Sequence, residues 1–183
     1  VFVLIGMFAL SSGSRFTFGV VLKSLQEQFG WERGALSLVA STSLILVSLL
    51  QIVTGWLSDQ VGPRRLLIVG FALSAFVLLG MSLMTQLWQV YLLYGIVGAL
   101  GFALASPVSA TAMVNRWFGQ RNRGTALSIA TAGVAVGQIA ITPLSMYLLL
   151  HGGWQLSYQA LAGFMLLIGL PLVLLLLREA PEE

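Results

Sequence analysis

Six long runs of apolar residues make up most of the chain, and short polar or charged segments separate them. The runs cover residues of about 1 to 22, 34 to 57, 65 to 84, 88 to 113, 124 to 149 and 155 to 177. Each run is about 20 residues or longer, which is the length that an α-helix needs to cross a hydrocarbon layer roughly 30 Å thick. The pattern predicts an all-α membrane protein, with one bundle of six transmembrane helices over residues 1–183.

The composition supports a membrane protein and argues against an enzyme. Hydrophobic residues make up 58% and charged residues 8% of the chain, whereas about a quarter of the residues are charged in soluble domains. The sequence has no cysteine and one histidine, His151, which excludes disulfides, thiolate metal sites and histidine clusters. It also offers no acid pair, no nucleophile with a base and no set of metal ligands, so we predict no enzymatic activity and no cofactor.

The acidic residues all lie at or beyond the end of an apolar run. They are Glu27, Glu32, Asp59, Glu179, Glu182 and Glu183. A carboxylate within the membrane is a usual group for carrying a proton or attracting a cation. We therefore expect that any proton-coupled step uses a titrating group outside this chain, and that the chain does not select cations.

The basic residues are distributed unevenly between the two sides of a six-pass chain. One side carries Arg64, Arg65, Arg116, Arg121, Arg123 and Arg178, and the other carries Lys23 and Arg33. Because basic residues accumulate on cytoplasmic loops, both termini are predicted to be cytoplasmic, in a plasma or inner membrane. This placement accounts for the net charge of +3 without a nucleic acid partner.

Two short segments that open the second and fifth runs are similar, Arg33–Ser37 and Arg123–Ser128. These runs cross the membrane in opposite directions, so the match is what two inverted three-helix repeats would leave behind. Chance similarity between short strings of small residues explains the match equally well.

A short charged segment, Gly55–Arg65, separates the second and third runs and predicts a cytoplasmic loop. It resembles the loop between helices 2 and 3 of the major facilitator superfamily in five residues and departs at Gln60 and Pro63. The five are Gly55, Leu57, Asp59, Gly62 and Arg64. The resemblance implies one half of a twelve-helix secondary transporter that works by alternating access, with a C-terminal six-helix half as its partner.

The resemblance also implies a conformational latch at the cytoplasmic side, formed by Gly55, Asp59, Gly62 and Arg64. The dipole of a helix disfavours a carboxylate at its C-terminal end, so Asp59 needs a cation or another helix N-terminus nearby. Arg64 and Arg65 are the local candidates. The alternative is that Asp59 is a solvated loop charge that only sets topology.

Four other segments resemble the monocarboxylate transporter and oxalate/formate exchanger branch of that superfamily. They are Phe18–Val21, Phe29–Arg33, Asn115–Ser128 and Ala132–Gly137. The resemblance covers essentially the whole chain and implies a carrier of small organic anions, often with a proton or by exchange.

Arg15 is the strongest candidate for binding such an anion. Seven residues lie between it and Lys23, so about 10 Å of helix separates it from the outer end of the first run. A charge at this depth usually faces protein or a water-filled cavity, and a guanidinium can donate two parallel hydrogen bonds to a carboxylate. Ser11 lies on the same helical stripe as Arg15. The alternative is that Arg15 extends to the membrane surface or packs against helix dipoles.

Three further polar residues are weaker substrate-binding candidates. Tyr91 and Tyr94 lie near the outer end of the fourth run, where a phenol can donate to a substrate oxygen or simply lie at the membrane surface. Gln138 lies within the fifth run, and a hydrogen bond to another helix would explain it equally well.

Gly124, Gly133 and Gly137 are candidates for helix packing. Gly133 and Gly137 form a G-x-x-x-G pair, which lets two helices touch backbone to backbone in lipid. The spacing of the three is similar to the fifth-helix signature of superfamily antiporters, but Gln138 and Ile141 depart from it, so antiport is not supported by the motif. We expect the Gly133 and Gly137 stripe to need a partner. Tight packing without a transport role is the alternative.

Three functions are open from the sequence. The first is half of an anion carrier completed by a C-terminal half, and the second is a six-helix half-transporter that pairs with a second copy of the chain. The third is a membrane scaffold or sensor that does not transport.

The predicted topology can be tested by labelling. Because the chain has no cysteine, single cysteines can be introduced at Gln86 and at Gln120. If the arginines set the orientation, a thiol reagent should label the two cysteines from opposite sides of a sealed vesicle, and the cysteine at position 86 should be labelled from the outside. Labelling of both from one side would remove a helix from the predicted six.

Overall fold

The computed structural model describes residues 2–106, 108–109, 111–112 and 123–176, and every described element is helical. The elements are α1 (Phe2–Phe29), α2 (Arg33–Val61), α3 (Pro63–Ser82), α4 (Leu87–Leu104) and α5 (Arg123–Phe164). Two π-helical segments, Met165–Gly169 and Leu172–Leu176, continue α5. Five described stretches are long and apolar enough to cross a membrane. The predictions that concern Arg116, Gln120, Arg121, Arg178 and the segment 115–122 fall outside the described residues.

The charged segment between α2 and α3 is not the loop that the sequence predicted. Helix α2 continues through Asp59 to Val61, and α3 begins at Pro63, so only Gly62 separates them. Gly62 has φ 93°, a conformation that glycine adopts without steric cost. Pro63 follows because its fixed φ suits the first position of a helix. The charges of this segment are therefore carried on two helix ends.

The fifth apolar stretch reverses direction at Gly153, which has φ 79°. The Ser157 hydroxyl donates to the Ser145 carbonyl oxygen at 2.9 Å, although twelve residues would span about 18 Å in a straight helix. The first limb of α5 (residues 123–152) and the second limb (residues 154–176) therefore lie side by side. The predicted runs 124–149 and 155–177 fall on different limbs.

Helix α1 and the first limb of α5 are in close backbone contact. A Cβ placed on Gly133 would lie 2.4 Å from the carbonyl oxygen of Ile5, and one placed on Gly137 would lie 2.2 Å from that of Ala9. The Gly133 and Gly137 stripe, which we expected to need a partner, is therefore already packed against α1 of the same chain. Gly124 differs, because among the described residues nothing lies within 4 Å of its Cβ position. The prediction that Gly124 serves helix packing finds no contact to support it.

A second close approach, between α3 and α4, was not predicted. A Cβ on Gly70 would lie 2.6 Å from the backbone nitrogen of Ala105, and one on Gly101 would lie 2.8 Å from the Ser74 hydroxyl oxygen. No G-x-x-x-G spacing marks these glycines, which explains why the sequence pattern missed them. Close backbone contacts therefore join α1 to α5 and α3 to α4.

Large apolar side chains cover the outside of the bundle. Leu38, Ile45, Ile52, Leu83, Ile139 and Leu167 are each at least 60% exposed. Such a surface is unfavourable in water and suits the hydrocarbon interior of a membrane, where backbone polar groups are satisfied within each helix. The buried core instead contains tightly packed residues such as Phe18, Phe71, Leu78 and Tyr158.

The contact between α1 and α5 yields a test of packing. Gly133→Ala and Gly137→Ala place a methyl group against backbone atoms that cannot move independently, so each should destabilise the folded protein by about 1 to 3 kcal/mol. Gly163→Ala is the matched control, since it lies on α5 with open space at its Cβ position. The control should be neutral or slightly stabilising because alanine favours helix. Thermal unfolding in detergent measures all three, and equal effects would contradict the close contact.

Candidate functional site

A cavity of about 240 Å³ lies between α1, α2, the C-terminal part of α4 and the first limb of α5. Its polar lining consists of Ser11, Ser12, Arg15, Gln51, Ser106 and Gln138. Phe8, Phe16 and Phe102 form aromatic parts of the wall. A largely apolar cavity with a few converging polar groups is the usual form of a small-molecule site.

Arg15 provides the positive charge of this cavity. Its side chain is half-buried, at mid-length on α1. Within the described part of the chain, its guanidinium makes no hydrogen bond or ion pair, and no acidic side chain lines the cavity wall. Arg15 therefore faces a cavity with its hydrogen-bond donors available, and its role in binding an anion stays a prediction.

Ser11 also lines the cavity, but its hydroxyl has a structural partner. It donates to the carbonyl oxygen of Ala105 on the chain that follows α4, at 3.4 Å, while the neighbouring Ser12 donates to Val134 of α5 at 3.1 Å. Both bonds connect α1 to the helices on either side. The two serines thus hold the walls together, and only their oxygen lone pairs remain free to accept a hydrogen bond.

Gln138, the weaker substrate-binding candidate on the fifth run, lies in the cavity wall on α5, and its side chain is exposed. The structure adds two residues that the sequence analysis missed, Gln51 on α2 and Ser106 after α4. Gln51 could have been found, because it is the amide within the long apolar run that precedes Gly55. Ser106 carries no such signal, since serines occur throughout these helices.

The two tyrosines predicted as substrate-binding residues are not among the residues that line the cavity. The Tyr91 hydroxyl donates to the carbonyl oxygen of Ala35 on α2 at 3.0 Å. The Tyr94 hydroxyl donates to the carbonyl oxygen of Arg15 on α1 at 2.8 Å. Each phenol joins α4 to another helix through its hydroxyl hydrogen, so that hydrogen is not available to a bound molecule in this arrangement.

The four predicted latch residues, Gly55, Asp59, Gly62 and Arg64, lie at or just beyond the C-terminal end of α2. Asp59 is exposed on the last turn of α2, and it makes no ion pair with any described residue. Arg64, the expected partner, instead donates to the carbonyl oxygen of Leu174 at 2.8 Å. Gly62 forms the helix break, and a Cβ on Gly55 would be in ordinary contact with Val108 at 3.7 Å.

The apolar helices and the lipid-compatible exterior define an integral, multi-pass membrane protein, and its cavity has the usual form of a small-molecule site. The model of the Major Facilitator Superfamily matches residues 4–183, and the chain belongs to that family of transporters.

Several curated proteins are similar to this chain. Monocarboxylate transporter 13 of Bos taurus is 31% identical over 176 residues, which cover 94% of this chain and 41% of that protein. Monocarboxylate transporter 13 of Rattus norvegicus is 30% identical over 147 residues, 80% of this chain and 34% of that protein. The uncharacterized MFS-type transporter YcxA of Bacillus subtilis (strain 168) is 25% identical over 179 residues, 96% of this chain and 43% of that protein. The chain thus spans about two fifths or less of the length of the relatives it matches.

Proposed function

We propose that the chain forms one half of a secondary active transporter that moves small organic anions, resembling monocarboxylates, by alternating access. The observation that carries the proposal is the Arg15 guanidinium, which faces the cavity without a protein partner among the described residues. The names of the relatives support the same substrate class.

The chemistry of the cavity suits a carboxylate. A planar guanidinium can donate two parallel hydrogen bonds to the two oxygens of a carboxylate, and this interaction is stronger away from bulk water. Gln51 and Gln138 add amide donors at the same wall, while Phe8 and Phe102 provide apolar surface for the carbon skeleton. A cavity of about 240 Å³ suits a small molecule.

The half-transporter arrangement is supported by the reversal at Gly153 and by the length of the relatives. Counting the two limbs of α5 separately gives six crossings, which two inverted three-helix repeats would require, with both termini at the cytoplasmic side. A second half would then complete the cavity opposite Arg15. The relatives are more than twice as long as their matched segments, which favours a C-terminal half over a second copy of the chain as that partner.

Coupling to a proton needs a group beyond this cavity wall. The lining residues in the described part of the chain include no carboxylate and no histidine. A proton or a counter-anion that moves with the substrate would therefore depend on residues elsewhere in the complete transporter.

We also propose that Asp59 acts in a latch at the cytoplasmic side. A carboxylate on the last turn of α2 is disfavoured by the helix dipole, and Arg64 is already bonded to Leu174. A partner from the other half of the transporter would relieve this unfavourable position in the outward-facing state. Gly55, Gly62 and Arg64 would shape the end of α2 that presents the carboxylate.

The proposed role of Arg15 predicts a graded loss of anion binding. In the complete transporter that carries this chain, Arg15→Lys keeps the charge but loses the planar group, and Arg15→Gln loses both. A charge-assisted hydrogen bond contributes about 1.5 to 3 kcal/mol, so Arg15→Gln should weaken affinity roughly tenfold to a hundredfold, and Arg15→Lys less. Uptake of radiolabelled acetate, lactate and oxalate into proteoliposomes measures the effect.

Arg33→Gln is the matched control, because it removes one exposed positive charge that does not line the cavity. Its uptake should stay at the wild-type level. Wild-type affinity in Arg15→Gln, or a substrate that is neutral or cationic, would remove the proposed role.

The latch predicts that Asp59→Asn shifts the transporter away from the outward-facing state while membrane insertion is unchanged. Turnover should fall more than substrate binding does, because the amide has the same size but no charge. Glu32→Gln, at the other end of α2, is the control for loss of a surface charge. Uptake and the accessibility of cysteines at the cytoplasmic mouth report the shift, and unchanged values of both would reduce Asp59 to a topological marker.

A further inference from the structure

Tyr94 lies next to the cavity without lining it, and its hydroxyl contacts the backbone of the residue that carries the cavity charge. We propose that Tyr94 is a positioning residue for the Arg15 guanidinium, acting through the Arg15 carbonyl oxygen and not through contact with the anion. This inference rests on the proposed function of Arg15 as the anion-binding group.

The hydrogen bond from Tyr94 fixes α1 at one particular turn. The Arg15 carbonyl is within α1, where helical pairing directs one of its lone pairs to the amide of residue 19. The Tyr94 hydroxyl donates to the same oxygen at 2.8 Å, using the second lone pair. Tyr94 is 5% exposed, so water does not compete well for this bond. Rotation or sliding of α1 would break it.

The ring of Tyr94 is held by aromatic neighbours on two sides. It stacks on Phe18 of α1 with ring centroids 4.3 Å apart, and it meets Phe102 edge-on at 5.9 Å. Phe102 lines the cavity, as Arg15 does. Tyr94 therefore connects the turn that carries the guanidinium to the aromatic wall that faces the same space.

The π-helical segment Tyr91–Gly98 of α4 explains how two nearby tyrosines reach different helices. In an α-helix, residues three apart lie on the same face. The wider turn of a π-helix separates them, so Tyr91 reaches α2 at Ala35 while Tyr94 reaches α1 at Arg15. Such π segments recur at functional sites.

This support matters because the arginine side chain is long and its guanidinium makes no hydrogen bond or ion pair within the described part of the chain. A functional group holds its geometry only when the residues behind it are fixed. Loosening the turn of Arg15 should therefore weaken anion binding while the later steps of transport continue.

The test compares Tyr94→Phe with Tyr91→Phe in the complete transporter. Each change removes one hydroxyl and one hydrogen bond to a backbone carbonyl and keeps the ring in place, so the two are matched. Tyr94→Phe should raise the KM for the transported probe, whether acetate, lactate or oxalate, about three- to tenfold, with kcat within about twofold of wild type. Tyr91→Phe should leave KM unchanged, and thermal unfolding should shift by a similar amount in both.

The double variant Tyr94→Phe with Arg15→Gln separates positioning from direct binding. If Tyr94 acts through Arg15, the double variant should bind no more weakly than Arg15→Gln alone. Additive losses, or an equal rise in KM for Tyr91→Phe, would overturn the inference. If Tyr94→Phe has the wild-type KM while Arg15→Gln binds the anion more weakly, this inference is overturned and the proposed function is not. If Arg15→Gln has the wild-type affinity, both the proposed function and this inference are overturned.

Discussion

The close contact between α1 and the first limb of α5 is the constraint on which the cavity depends. In a bilayer the surrounding lipid is as apolar as the helix surfaces, so helices gain little by burying apolar side chains against one another. Glycines 133 and 137 let the backbones approach closely enough for dispersion to hold the pair together. Arg15 lies on α1, so the place of its guanidinium follows from this contact.

Hydrogen bonds from hydroxyl groups fix how α1 and α5 are aligned along their lengths. The glycine contact alone would let the two helices slide past each other. Thr17 and Ser145 join α1 to the first limb of α5 at 2.8 Å, and Ser157 joins the second limb to Ser145. Ser12 repeats the connection nearer the cavity. Thr17 and Ser145 also bond to the carbonyl oxygens of Gly13 and Ile141 on their own helices, so these hydroxyls have partners inside the membrane as well as joining the helices.

The Arg15 guanidinium is a charged group placed among the same apolar helices. A charge at this depth is costly, and the structure gives it no acidic partner among the described residues. Because Arg15 is half-buried, part of its hydration is already lost when the protein folds, and a carboxylate that binds it in the proposed transporter displaces less water than it would from a fully exposed arginine. Two parallel hydrogen bonds then form where water competes less than in solution. In the proposed transporter, this arrangement favours anions over neutral molecules because the cavity holds a positive charge and its described lining has no carboxylate.

The sequence by itself determined the apolar helices and the membrane environment, and it singled out Arg15 as the candidate anion-binding residue. Hydropathy over about 20 residues is a local property, and a lone cation within an apolar run has few physical explanations. Tertiary structure alone decided that Tyr91 and Tyr94 face other helices, that Gly124 makes no close contact among the described residues and that Gly70 does. It also decided that Arg64 bonds to Leu174 and not to Asp59. Which face of a helix meets which neighbour depends on contacts between residues far apart in the chain, and neither composition nor spacing encodes them.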